Sequence, residues 1–303
     1  MKKVFIDTDP GIDDAVAIVL AHQMGLDIKG ISLVSGNVHR DQGLVNVFRL
    51  SHFLGKDFPI YTETDRPQVY PLSTGVDIHG GDGLGGTDLP YEDLDYQENG
   101  MDALIALLKK EPVTIYALGP LTNLALALKK DREAFKNARL IVMGGNAYVP
   151  GNVTALAEYN FWCDPHSAWD VFENFPGLVD LVPLDLTQYG LLTQDRMESI
   201  EKENPKIGKF IQEITKAYLD IYQRKDGVRG CILHDPLTLL VDKYQEKFTW
   251  EEVDLKVETG EERRGLVQVD KTSSRKNCRL YTGVDPDFLM DVFQEELLRK
   301  GKD

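Results

Sequence analysis

Cysteine is scarce in this chain: Cys163, Cys231 and Cys278 are the 3 among 303 residues. Their spacing excludes a CxxC zinc or redox motif, and so sparse and odd a set points to buried free thiols in a reducing compartment. Positive charge is short as well. The 34 Lys and Arg face 49 Asp and Glu, a net charge of −15. Such a surface repels phosphate backbones and anionic lipid, which argues against nucleic-acid and membrane partners and favours a cation or a neutral ligand. No apolar run approaches the roughly 18 residues of a membrane span, and no secretory h-region follows Met1-Lys2-Lys3. A cytoplasmic protein is expected. Linkers rich in Pro or Ser, charge blocks and repeats are missing too, so residues 1–303 are expected to form one domain.

What is present is ordinary globular composition, 42% hydrophobic and 27% charged. A chain of this length buries enough surface to need no disulfide or metal staple. Short β-branched runs alternate with longer helical stretches. Strands are expected at 4–6, 30–34, 59–61, 113–117, 140–143 and 178–182, with helices over 13–24, 41–54 and 121–130. Continuous apolar strands, each followed by a helix, predict an α/β fold: a mostly parallel central sheet flanked by helices. The stretch 252–269 alternates more and predicts a small antiparallel addition near the C-terminus. In such folds ligands sit beyond the carboxyl ends of the strands.

The loop after the first strand reads Asp7-Thr8-Asp9-Pro10-Gly11-Ile12-Asp13-Asp14. Four carboxylates this close repel one another unless a cation lies among them. Oxygen ligands without nearby Cys or His select a hard ion, Ca²⁺ or Mg²⁺. Capping and the helix dipole account for one or two of these acids but not for four. An EF-hand is excluded, because Pro10 interrupts the loop and its twelfth position is Ile18.

Other loops at strand ends add candidates. Leu118-Gly119-Pro120-Leu121-Thr122-Asn123 follows the fourth strand, and its Gly-Pro turn aims a backbone carbonyl into the crevice. Met143-Gly144-Gly145 closes the fifth, followed by Asn152, Glu158 and Asn160, amide and carboxylate groups suited to polyol hydroxyls. Taken singly, each is equally a turn former. His234-Asp235-Pro236 offers a proton donor and a further hard ligand, with a helix cap as the plainer alternative. His79-Gly80-Gly81-Asp82-Gly83-Leu84-Gly85-Gly86 is expected to be a mobile flap, and it matches no phosphate-cradle motif.

Together these segments resemble the inosine–uridine-preferring nucleoside hydrolase family. The resemblance runs from the Asp7–Asp14 octet through Val34-Ser35-Gly36-Asn37, His79–Gly83, Leu118–Asn123, Met143–Gly145 and Glu158-Tyr159-Asn160 to His234-Asp235-Pro236, in family order. It implies hydrolysis of the N-glycosidic bond of ribonucleosides with a bound Ca²⁺. Carried over by position, the ligands are Asp9, Asp14, Asp235 and the Leu118 carbonyl, where some relatives have Thr. Asp9 doubles as general base for the attacking water. Asp13 and Asn37 hold ribose hydroxyls, Asn152, Glu158 and Asn160 grip the 5′ and 3′ side, and Met143 packs under the sugar. An oxocarbenium-like transition state suits a ring of carboxylates.

For the departing base the resemblance offers His234 as acid and His79, Tyr218 and Tyr222 as contacts. The two tyrosines, one helical turn apart, equally read as a core stripe. Pyrimidine-preferring or broad specificity is expected, since no pair of tryptophans is placed to sandwich a purine. The glycine flap and residues 220–230 are expected to close over substrate, and a homodimer or homotetramer follows from the resemblance alone. Two rivals remain: a haloacid-dehalogenase-like phosphatase with Asp7 as nucleophile, and a calcium-dependent ribose- or nucleoside-binding protein without catalysis.

Overall fold

The computed structural model describes residues 1–299, apart from the side chains at positions 222, 225 and 226. Its frame is a nine-stranded sheet. Strands β1 (Lys3–Thr8), β2 (Asp27–Leu33), β3 (Ile60–Thr62), β4 (Val113–Ala117), β5 (Ala138–Met143) and β6 (Val179–Val182) lie parallel in the order β6-β5-β4-β1-β2-β3. All six expected strands are present, with ends shifted by a few residues. Val4, Phe5 and Ile6 are at most 1% exposed because helices cover both faces of the sheet, as the unbroken apolar runs require.

Two strands form apart from that sheet: β7 (Leu191–Thr193) and β8 (Gly230–Ile232) make a separate antiparallel pair. They are too short for any periodicity to reveal. Their effect is to deliver Leu233, His234 and Asp235 to the carboxyl edge of the main sheet. The antiparallel addition is β9 (Thr249–Val257) and β10 (Val267–Asp270), paired with Val257 opposite Val267. A further strand, β11 (Cys278–Gly283), joins it to the sheet, parallel to β6 and antiparallel to β9.

The helix Ile12–Gln23 starts directly beyond β1 and is buried along ten consecutive positions, Ile12 to Ala21. Its N-cap is Gly11 rather than Asp9, and Asp14 accepts the Gly11 N–H at 2.9 Å. The helices Pro236–Lys243 and Pro286–Leu297 share its apolar cluster, while Thr122–Lys130 and Pro165–Asn174 cover the opposite face. Among the described residues no helix is long and apolar enough to cross a membrane.

Candidate active site

The carboxyl ends of β1, β2, β4 and β5 stand side by side, with Asp7 in register with Ser32 and Ala117. Over that edge opens a cleft of about 740 Å³. Among its lining residues are Asp13, Asn37, His79, Leu118, Met143, Asn152, Glu158, Asn160, Tyr218, His234 and Asp235. Sequence reasoning singled out every one of these. Asp9 and Asp14 are fully buried, and the Tyr222 side chain lies outside the described residues.

Carboxylate oxygens of Asp13, Asp14 and Asp235 all lie within 4.8 Å of one another. The tightest group therefore contains Asp13 where the resemblance implied Asp9. The reason is local: Asn37 N donates to Asp9 Oδ2 at 2.6 Å and holds that carboxylate to one side. Asp9 remains close enough for its charge to be felt by Asp235. Its other oxygen, Oδ1, is buried without a hydrogen-bond partner among the described residues.

Electrostatics mark the group as incomplete. Asp9, Asp14 and Asp235 are all pushed above the usual carboxylate range, first by burial and then by neighbouring carboxylates, Asp14 acting on Asp9 and Asp13 on both Asp14 and Asp235. An all-oxygen set of like charges, one of them an orphaned buried atom, fits a hard divalent cation. Asp235 occupies the N-cap position of the helix Pro236–Lys243 but makes no side-chain capping bond, so the plainer reading of this residue fails.

The neighbours hold these acids in place. Thr8 Oγ1 donates to Asp14 Oδ1, and Asn37 Nδ2 donates to Asp14 Oδ2 at 2.9 Å. Asn37 thus bridges Asp9 and Asp14. The Leu118 carbonyl accepts Asn160 Nδ2 at 2.8 Å, leaving its second lone pair for a ligand. Glu158 caps its short helix, accepting from the backbone N–H groups of Asn160, Gly145 and Phe161. Burial raises its pKa to about 7 despite those bonds. Asn152 is exposed at the rim and caps Tyr159 N at 2.9 Å.

Two histidines line the same cleft beside these acids. His79 Nδ1 accepts the Ile12 N–H at 3.1 Å, and the ring meets Tyr218 edge-on with centroids 5.3 Å apart. His234 Nδ1 lies 2.8 Å from Thr187 Oγ1, and its backbone N–H donates to Asp13. Thr187 carries no sequence signal, being one polar residue in a short helical turn. Tyr159, whose hydroxyl donates to the Gly36 and Ser73 carbonyls, ties the segment before His79 to the end of β2.

Two expectations change. The glycine segment is pinned rather than loose: Asn46 Nδ2 donates to both the Pro10 and Asp82 carbonyls, and Arg49 pairs with Asp82. Gly83 sits at φ +78° with Val38 Cγ1 2.5 Å from where a Cβ would be, so any side chain there strains the fold itself. Asp7 is fully buried, engaged by Ser32 and Asn123, and absent from the cleft lining, which removes it as a phosphatase nucleophile.

Comparison with known proteins agrees. The family model described as inosine-uridine preferring nucleoside hydrolase matches residues 4–291. The chain is 33% identical to probable uridine nucleosidase 2 of Arabidopsis thaliana, covering 98% of each. It is also 33% identical to the pyrimidine-specific ribonucleoside hydrolase RihA of Citrobacter koseri, covering 97% of each. Among solved structures, the purine-preferring ribonucleoside hydrolase from Gardnerella vaginalis superposes with a TM-score of 0.92 at 28% identity, over 98% of both chains.

Proposed function

Because the chain belongs to the inosine-uridine preferring nucleoside hydrolase family and is an N-glycosyl hydrolase, we propose that its cleft cleaves ribonucleosides with the aid of bound calcium. Uridine and cytidine are read as substrates, with breadth beyond them. The observation that carries this reading is the buried set of acids at a cleft that His79 and His234 also line.

Asp9, Asp14, Asp235 and the Leu118 carbonyl would hold the ion, with Asp13 in contact range. When bound, calcium would acidify a water and anchor the ribose diol. Asp9 takes up the water's proton on Oδ1, since Oδ2 is committed to Asn37. Asp13 and Asn160 orient the ribose hydroxyls. Glu158 and Asn152 close the 5′ side, and Met143, at the end of β5, forms the floor. Positive charge developing on the sugar is met by these fixed carboxylates, which need no reorganisation as the bond breaks.

The base leaves towards the histidines. Held at Nδ1 by Thr187, His234 would serve as an imidazolium, the form that the Asp13 charge favours, giving its Nε2 proton to the departing base and being left as neutral imidazole. His79, its Nδ1 filled by a backbone N–H, likewise presents an N–H and suits a base carbonyl. That arrangement supports a pyrimidine. The names of the nucleosidase relatives point the same way, while the purine-preferring structural neighbour supports breadth. Trp162 is the tryptophan in the cleft lining, and its ring is stacked on Arg264 at 3.8 Å.

The test is reducing-sugar release from uridine, cytidine, inosine and adenosine, before and after exhaustive chelation. Release from the pyrimidines that fades on chelation and returns with calcium is expected. No release from any of the four by calcium-loaded protein would overturn the proposal.

A further inference from the structure

Away from the cleft, one concavity runs against the charge of the whole chain. A cavity of about 270 Å³ is lined by Arg49, His52 and Lys206 together with Phe53, Leu89 and Pro90. Three basic side chains converge there in a protein of net charge −15. Lys56 and Lys206 also bear on nearby His22, whose pKa is lowered first by burial and then by these two charges. The apolar wall is ordered: Phe53 stacks on Phe210 at 4.2 Å, and Lys206 Nζ lies 4.9 Å from the Phe53 ring centre. Among the described residues no carboxylate forms an ion pair with Lys206 or His52, whereas Arg49 has one, Asp82, at 3.2 Å.

That one acid connects the cavity to the active site. Asp82 Oδ1 accepts the N–H groups of Leu84 at 3.0 Å and Gly86 at 2.8 Å, and so shapes the glycine loop. Gly85 N in turn donates to the His79 carbonyl at 2.8 Å. The Arg49–Asp82 pair is therefore the outer fastening of a loop whose inner end presents His79 to the cleft.

We propose that this cavity binds a small phosphate monoester, and that occupancy draws Arg49 from Asp82 and shifts the loop carrying His79. The donors match the ligand: the Arg49 fork engages phosphate oxygens in pairs, and Lys206 adds a point charge. Phe53, Leu89 and Pro90 take the apolar body of the ester. The volume lies just below the roughly 300–1,000 Å³ of ordinary ligand pockets, which restricts the body to one small group. Asp82 cannot keep a full share of Arg49 while a dianion competes for it, so the two sites are coupled, reciprocally. The binding claim stands apart from the nucleoside reading; the effect on turnover rests on it.

Inorganic phosphate and phenyl phosphate, neither of which carries a ribose diol, are titrated into the intact protein by calorimetry at fixed ionic strength. Phenyl phosphate should bind once per chain and more tightly than phosphate. Lys206→Glu should weaken both at least tenfold, with Lys206→Gln as substitute where the charge reversal fails to fold. Lys56→Glu, outside the cavity lining, should bind as the parent does. Absence of binding, or equal weakening by the Lys56 change, overturns the site. Saturating phenyl phosphate should lower kcat/KM for uridine about fivefold, and the Lys206 variant, relative to its own phosphate-free rate, should not respond. Binding with no rate response overturns the coupling. If no nucleoside is hydrolysed, the His79 ring resonances report the coupling instead, and their failure to move on saturation overturns it.

Discussion

The Ile12 backbone N–H donates to Nδ1 of His79 at 3.1 Å. The donor sits in the first turn of a helix, where N–H groups lack intrahelical acceptors and the dipole disfavours a cation. Burial lowers the His79 pKa to about 4, with Asp14 opposing and His234 adding to the shift. The ring is thus neutral at physiological pH, with its proton on Nε2. Nitrogen-detected NMR of the ring should show this tautomer throughout pH 5.5–8. A His79 resonance titrating near 6.5 would sink the assignment.

His234 depends on Thr187 for its orientation. Thr187→Val, which keeps the shape and removes the hydroxyl, should lower kcat on uridine about five- to tenfold with KM little changed, as expected for about 1 kcal/mol of hydrogen bond. His234→Ala should cost about 10²–10⁴ in kcat on uridine, and much less on a riboside of p-nitrophenol, whose anion leaves unaided. Equal losses on both substrates would remove His234 as the acid.

Metal binding should release protons. Asp9, Asp14 and Asp235 are held above the usual carboxylate range by burial and by the charges of neighbouring aspartates, Asp13 included, and a cation takes them as carboxylates. Calcium affinity should therefore rise with pH. A raised folded-state pKa means that the metal-free fold binds more protons than the unfolded chain, so its stability falls as pH rises above the unfolded value near 4. The gain in Tm on adding calcium should be larger at pH 8 than at pH 5. An equal gain at both would show that these acids do not titrate with the ion.

The acid octet was legible because four like charges at one strand end defy any purely structural account. The parallel sheet was legible from its unbroken apolar runs. What escaped was carried by residues without a local pattern. β7 and β8, three residues each, are too short to show a period, yet they bring His234 and Asp235 to the cleft. The glycine density of residues 80–86 suggested freedom, but the residues that remove it, Asn46 and Arg49, sit on a helix far away in sequence. Asn37, expected to hold a ribose hydroxyl, lines the cleft, and the second task of its amide, holding Asp14, had no local signal.

Asp7 separates structure from chemistry in the same loop. Burial raises its pKa to about 6, against the hydrogen bonds from Asn123 and Ser32, and among the described residues Oδ2 has no partner. Its contribution to stability therefore declines as pH rises from about 4 through 6, by about 3 kcal/mol in all. Asp7→Asn keeps an acceptor for Ser32 and Asn123 and removes the charge. Its stability relative to the parent, from urea midpoints, should be more favourable at pH 8 than at pH 4.5, with nucleoside hydrolysis retained. Loss of hydrolysis in the folded variant would return Asp7 to the chemistry.

Gly119 makes room for the general base. Its backbone is not in the left-handed region, so alanine is conformationally admissible there, yet a Cβ would stand 2.4 Å from Asp9 Oδ1 and 2.8 Å from Asp9 Cγ. The contact falls on the very oxygen that lacks a partner. Gly119→Ala should therefore leave the far-ultraviolet spectrum intact and turn the Asp9 carboxylate away from its working position. Displacements of about 1 Å cost on the order of 10²-fold in rate, and the loss should fall on kcat rather than KM. Gly81→Ala is the control, since among the described residues nothing lies within 4 Å of its Cβ position, and it should retain parental activity. If Gly119→Ala folds and turns over as the parent does, Oδ1 of Asp9 is not the atom that accepts the proton.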